Sequence, residues 1–149
     1  MEFKYYQIIL EELKPLLASR DFVVAEKAWE GNDFYITYLS SKFGLKIENY
    51  RGDLLATVFP IENPELEIAL YNLLDYLSLE NAESNDRRHY MKSNVSEDRY
   101  KSQTLYLVGE MDKNFEAIAE FFSSGVFLLK FNEVKNYVIE KHQNLFKKL

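Results

Sequence analysis

The chain has 149 residues, 47% apolar and 15% aromatic, with a formal net charge of −6 and no cysteine. Such a chain is long and apolar enough to bury a core as a single domain spanning 1–149. The charge argues against general nucleic-acid binding, which needs Lys and Arg to displace counterions from phosphate, and the missing thiols exclude disulfides, thiolate metal sites and cysteine nucleophiles.

Residues 2–19 carry Phe3, Tyr6, Leu10, Leu13 and Leu17 at three- and four-residue spacing, which predicts an amphipathic helix. The charged N-terminus does not read as a signal peptide. Pro15 interrupts the pattern and implies a kink or a restart there. The segment 22–29 alternates weakly, with Val24, Glu26 and Ala28 against Val23, Ala25, Lys27 and Trp29. Turn chemistry at Gly31, Asn32 and Asp33 follows. Residues 34–39 (FYITYL) are β-branched and aromatic, 43–49 alternate, and 54–59 form a further apolar run closed by Pro60. Arg51-Gly52-Asp53 reads as a hairpin turn. It also matches an adhesion tripeptide, but this setting makes it a turn. The four runs predict an antiparallel meander.

Asn63-Pro64-Glu65 has the chemistry of a helix start, and Leu66, Leu70, Leu73, Leu74 and Leu77 supply a buried stripe after it. Residues 79–98 are polar and without period, which reads as a long loop. From Tyr100 the pattern is helical, as one helix or as two divided near Gly109 to Asp112. Phe115, Ile118, Ala119 and Phe122 form its inner face, and Gly125 is placed as its cap. The apolar run 126–131 cannot be assigned by period. A last helix is expected over 132–147, with Val134, Val138 and Leu145 inward. The fold class predicted is α+β: an N-terminal helix, a four-stranded antiparallel meander, then C-terminal helices packed on the sheet.

Catalytic motifs are missing. His89 and His142 stand in no paired ligand spacing. Glu26, Glu30 and Asp33 could gather acids at a hairpin mouth for a metal or for acid–base work. Strand and turn roles explain them as well. No catalytic residue, metal ligand or cofactor is therefore assigned. No apolar run reaches the ~18 residues of a membrane span, so a cytoplasmic protein without membrane association is expected.

The acidic run is the stronger signal. Glu62, Glu65, Glu67, Asp75, Glu80, Glu83 and Asp86 follow one another with no Lys or Arg between them. They would either solvate a surface or steer a basic protein partner. Trp29 and Tyr35 are the candidate aromatic anchors. The alternation of 34–39 sets Tyr35 and Thr37 opposite Phe34, Ile36 and Tyr38, and so on the exposed side. The candidate partner-binding set is Glu62, Glu65, Glu67, Glu80, Glu83, Tyr35 and Trp29.

The segment from Trp29 to Pro60 resembles small acidic bacterial proteins found among the immunity proteins of polymorphic toxin systems. The resembling features are a hairpin strand, then Ser41–Ile47 with Lys42, Phe43, Gly44 and Leu45, then Arg51-Gly52, then an apolar strand. The resemblance implies a non-enzymatic protein that binds and masks a cognate toxin; taken with the acidic run, that toxin domain is expected to be basic. It carries over no individual binding residue. Two other readings are compatible with the chain. One is a small enzyme using carboxylates or His89. The other is a structural or regulatory subunit forming a homo-oligomer through the sheet edge or the C-terminal helices.

Overall fold

A computed structural model describes residues 5–31, 33–78 and 97–147. It contains α1 (Tyr6–Ser19), β1 (Val23–Glu30), β2 (Asp33–Leu39), β3 (Gly44–Tyr50), β4 (Asp53–Phe59), β5 (Ile68–Ala69), α2 (Leu70–Ser78), α3 (Glu97–Ser123) and α4 (Phe127–Lys147). The strands form one antiparallel sheet in the order β1-β2-β3-β4-β5. The class is α+β, with a fifth short strand added to the expected four.

Turn chemistry sets the register. Arg51 and Gly52 both take positive φ, 51° and 86°. Those values define the type I′ turn that matches the twist of a two-residue hairpin. Between β2 and β3, the Ser40 hydroxyl accepts the backbone N–H groups of Lys42 and Phe43, both at 3.2 Å, and donates to the Phe43 carbonyl at 2.9 Å. One buried side chain thus satisfies a tight turn whose central residues, Ser41 and Lys42, are exposed.

Phe34, Ile36 and Tyr38 from β2, Leu45 and Ile47 from β3, and Ala56 and Val58 from β4 point to one face and are buried. Helices α1 and α3 cover that face. Tyr6 of α1 packs edge-on against Phe34, and Phe115 of α3 lies 5.1 Å from Phe43 between ring centres. The buried stripe of α1 is Tyr6, Ile9, Leu13 and Leu16, with Leu10 and Leu17 only partly covered. Pro15 sits within this single helix on its exposed side. At its end Asp21 adopts φ 57°, and Phe22 N–H reaches back to the Leu17 carbonyl at 3.0 Å. This is a Schellman closure, and it delivers Phe22 into the core. Where α3 crosses β4, the Gln103 side chain accepts the Leu54 N–H at 3.1 Å, and Tyr100 donates to buried Asn49 at 3.0 Å.

Several expectations need correction. The helix expected from Asn63 begins at Leu70. Leu66 N–H instead bonds the Asn63 carbonyl in a turn, and Ile68 and Ala69 pair with Val58 and Thr57. Ladder bonds to β4 outweigh the local start signal. Residues 100–123 lie in one helix that runs through Gly109, and the unassigned run 126–131 enters the first turns of α4. A bulge between Val24 and Glu26 shifts the phase of β1. Val24, Lys27 and Trp29 therefore share the helix-covered side with Tyr38, Ile36 and Phe34, while Glu26 and Ala28 share the other side with Thr37 and Tyr35. The loop expected over 79–98 lies outside the described residues, except that Glu97 and Asp98 open α3.

Candidate binding face

Among the described residues, the helices pack on the first face of the sheet and leave the second uncovered. The register sorts its side chains into rows across the strands. Val23, Leu39, Gly44 and Phe59 form one row; Glu26, Thr37, Lys46, Thr57 and Ala69 the next; Ala28, Tyr35, Glu48 and Leu55 the third. The loop after β4 rises beside the first row, carrying Ile61 and Pro64. Together they enclose a hollow of about 590 Å³, lined among others by Tyr35, Thr37, Lys46, Glu48, Phe59 and Ile61.

The first row is apolar for a steric reason. A Cβ on Gly44 would stand 2.1 Å from ring carbons of Phe59. Glycine at that position lets the Phe59 ring lie flat across β3, where it is almost wholly buried although it points away from the main core. Leu39, Ile61 and Pro64 complete an apolar corner around it.

The other rows are polar. Tyr35 donates its hydroxyl to Glu26 Oε1 at 2.8 Å across the β1–β2 pair. That bond, followed by burial and the charge of Glu26, raises the Tyr35 pKa above the ordinary tyrosine value. Lys46 Nζ lies 3.2 Å from Oε2 of Glu67, the residue just before β5, so its charge is matched from within the chain. Glu48 stands beside Tyr35 across the β2–β3 pair. Asp33, at the turn end, accepts the Arg51 N–H at 3.1 Å.

The candidate residues divide. Tyr35 and Glu67 line the hollow, and Glu62 and Glu65 are exposed in the loop that walls it. Trp29 lies on the opposite, helix-covered side, with its ring against Tyr6 and Phe34 and 39% of its surface exposed at the sheet margin. Glu80 and Glu83 lie outside the described residues, as does His89, whereas His142 is exposed on α4. Glu26, Glu30 and Asp33 do not close into a metal cage. Among the described residues no three His, Asp or Glu side chains are placed to hold a metal ion. Sequence reasoning missed Glu48 and the Leu39–Phe59–Ile61 corner. The alternation of 43–49 holds the signal for Glu48. The corner depends on a contact between Gly44 and Phe59 that no local pattern announces.

No family model, curated protein or solved structure matches the chain.

The margins of the sheet are less open than its face. The bulge in β1 breaks the regular edge, and Lys27 points to the same side as Ile36. Both features discourage another strand from pairing there. Beyond the two residues of β5, Gln103 takes the Leu54 N–H that β4 would otherwise present. Alongside β5, α4 leaves an apolar groove of about 290 Å³ lined by Ile68, Phe131, Val134 and Val138. Among the described residues no helix is long and apolar enough to cross a membrane.

Proposed function

We propose that this protein is a non-enzymatic binding protein that engages a basic protein partner through the open face of its sheet, in the manner of an immunity protein masking a toxin. The observation that carries the reading is the uncovered face itself. It combines a preformed hollow, a fixed apolar corner, an oriented tyrosine and carboxylates, which are the ingredients of a specific interface. Among the described groups lining the hollow, the chemistry favours binding over catalysis. Lys46 is matched by Glu67, and the tyrosine is moved away from neutral pH, the wrong direction for a proton-transfer group at pH 7.

Negative charge at Glu62 and Glu65 would accelerate encounter with a cationic partner, and that gain would shrink as salt shortens the ~8–10 Å Debye length. Contacts at Tyr35 and the apolar corner would govern dissociation.

The test uses the full chain immobilised and exposed to lysate of its native host. Retained proteins are identified by mass spectrometry and then purified for binding kinetics. A partner bound by the natural chain and lost on Thr37→Trp, which fills the hollow, is the expected result. Leu128→Arg, on the exposed side of α4, is the control that should leave binding intact. The partner should also arrest growth when expressed alone and be neutralised by this chain. Loss on Leu128→Arg with retention on Thr37→Trp would move the site to α4 and end the reading.

A further inference from the structure

The hollow has two chemically distinct ends, and their separation along the strands is fixed by the register. At one end stand Leu39, Phe59, Ile61 and Pro64. At the other stand Tyr35 and Glu48, with Glu26 joined to Tyr35 by its hydrogen bond. Between them, Lys46 is held by Glu67. Among the described residues, the one lysine lining the hollow is therefore matched, and Glu26 and Glu48 face no cationic side chain at salt-bridge distance. Tyr35 holds Glu26 in place without cancelling its charge.

We infer that the partner presents a single arginine or lysine to the Glu26–Tyr35–Glu48 end and a large apolar side chain to the Leu39–Phe59 corner, the two lying about 13 Å apart. The separation follows from the strand. Leu39 and Tyr35 are four residues apart on β2, and an extended chain advances ~3.3 Å per residue. The inference rests on the open face being the binding face, and it adds the partner's chemistry and spacing.

Charge complementarity commits the occupant to a basic protein surface. A cation at this end would gain two carboxylates and could rest on the Tyr35 ring. An anion would meet the same carboxylates with no unmatched base among the described residues lining the hollow. The apolar corner adds what a free cation or polyamine would not use. Its ring is already fixed over Gly44, so an incoming side chain packs without reordering it.

The experiment selects displayed peptides from a randomised library on the immobilised full chain. Enriched peptides are then measured against variants. The expected result is a motif pairing Arg or Lys with a large apolar residue, with affinity falling at least tenfold on Glu26→Gln/Glu48→Gln and severalfold on Leu39→Ala. Binding should be lost on Thr37→Trp and on Leu55→Arg, which supplies a competing cation beside Glu48. Binders lost on Thr37→Trp but indifferent to Glu26→Gln/Glu48→Gln would overturn this inference and leave the open-face reading standing. Binders indifferent to Thr37→Trp and Leu55→Arg alike, or no enrichment above the Thr37→Trp background, would overturn both.

Discussion

On β3, Leu45 and Ile47 are fully buried, while Lys46 and Glu48, their neighbours in the chain, border the hollow on the other face. The same strands thus build a dry surface and a wet one from alternate residues. The covered face is mainly apolar, and the polar Asn49 buried in it receives the Tyr100 hydroxyl. The open face keeps carboxylates, a lysine and a tyrosine beside an apolar corner. The contrast separates two jobs. The covered face holds the buried core, and the open face is the surface proposed to meet a partner.

The largest expected effect tests that separation directly. Ile47→Ala removes a fully buried side chain between β2 and β4 and should cost about 2–5 kcal/mol. Leu55→Ala, on the open face and 44% exposed, should cost less than about 1 kcal/mol. Urea unfolding of both variants checks this. Equal losses would mean that the two faces share the burden.

Gly44→Ala probes a place where the open face has a packed interior of its own. The new methyl group would collide with the Phe59 ring. The ring must lift, so a loss of about 1–3 kcal/mol is expected. Because the ring moves on the open side, the variant should also perturb binding, whereas Ile47→Ala should unfold at lower urea yet bind normally while folded.

Two tyrosines sharpen the comparison through pH. Tyr38 on the covered face is pushed up to about 12, first by burial and then by Tyr6. Tyr35 on the open face is raised first by its bond to Glu26. A folded-state pKa above the unfolded value means that the proton is held more tightly in the fold. The stabilisation from Tyr38 is therefore complete below pH ~10 and is lost as pH climbs through about 12. Alkaline unfolding should weaken in Tyr38→Phe. Ultraviolet titration of Glu26→Gln should bring Tyr35 back toward ordinary tyrosine behaviour and leave Tyr38 unchanged.

The covered face was the more legible of the two in the sequence. Alternation in 34–39 and 43–49 sorted Ile36 and Tyr38 from Tyr35 and Thr37, because one buried side imposes a two-residue period. The bulge in β1 defeated the same logic, since one extra residue inverts the phase and carried Trp29 to the covered side. The helix start at Asn63 was overridden by pairing with β4, a contact between distant residues that local propensity cannot register. The open site was half legible for a related reason. Glu62, Glu65 and Glu67 lie in a run that can be read directly, but Glu26 and Glu48 meet only across paired strands, and the apolar corner joins Leu39, Gly44, Phe59 and Ile61 from three separate segments.

The smallest effect concerns the turn that joins β3 to β4 at the end of both faces. Arg51 holds φ 51°, a conformation that costs most side chains free energy and that Asn tolerates. Arg51→Asn followed by Gly52 restores the pair most favoured in a type I′ turn. Against this stands the Arg51 guanidinium over the Tyr50 ring at 5.1 Å, worth about 0.5–1 kcal/mol at an exposed site. The backbone bond from Arg51 N–H to Asp33 survives the change. The net expectation is a gain of a few tenths of a kcal/mol by urea unfolding, with Arg51→Lys neutral because it keeps the backbone conformation and the charge. Binding should be unaffected by either variant, since the turn lies beyond the Tyr35–Glu48 row. A partner lost on Arg51→Asn, with stability unchanged or improved, would make Arg51 part of the interface and extend the binding face past the carboxylates to the hairpin tip.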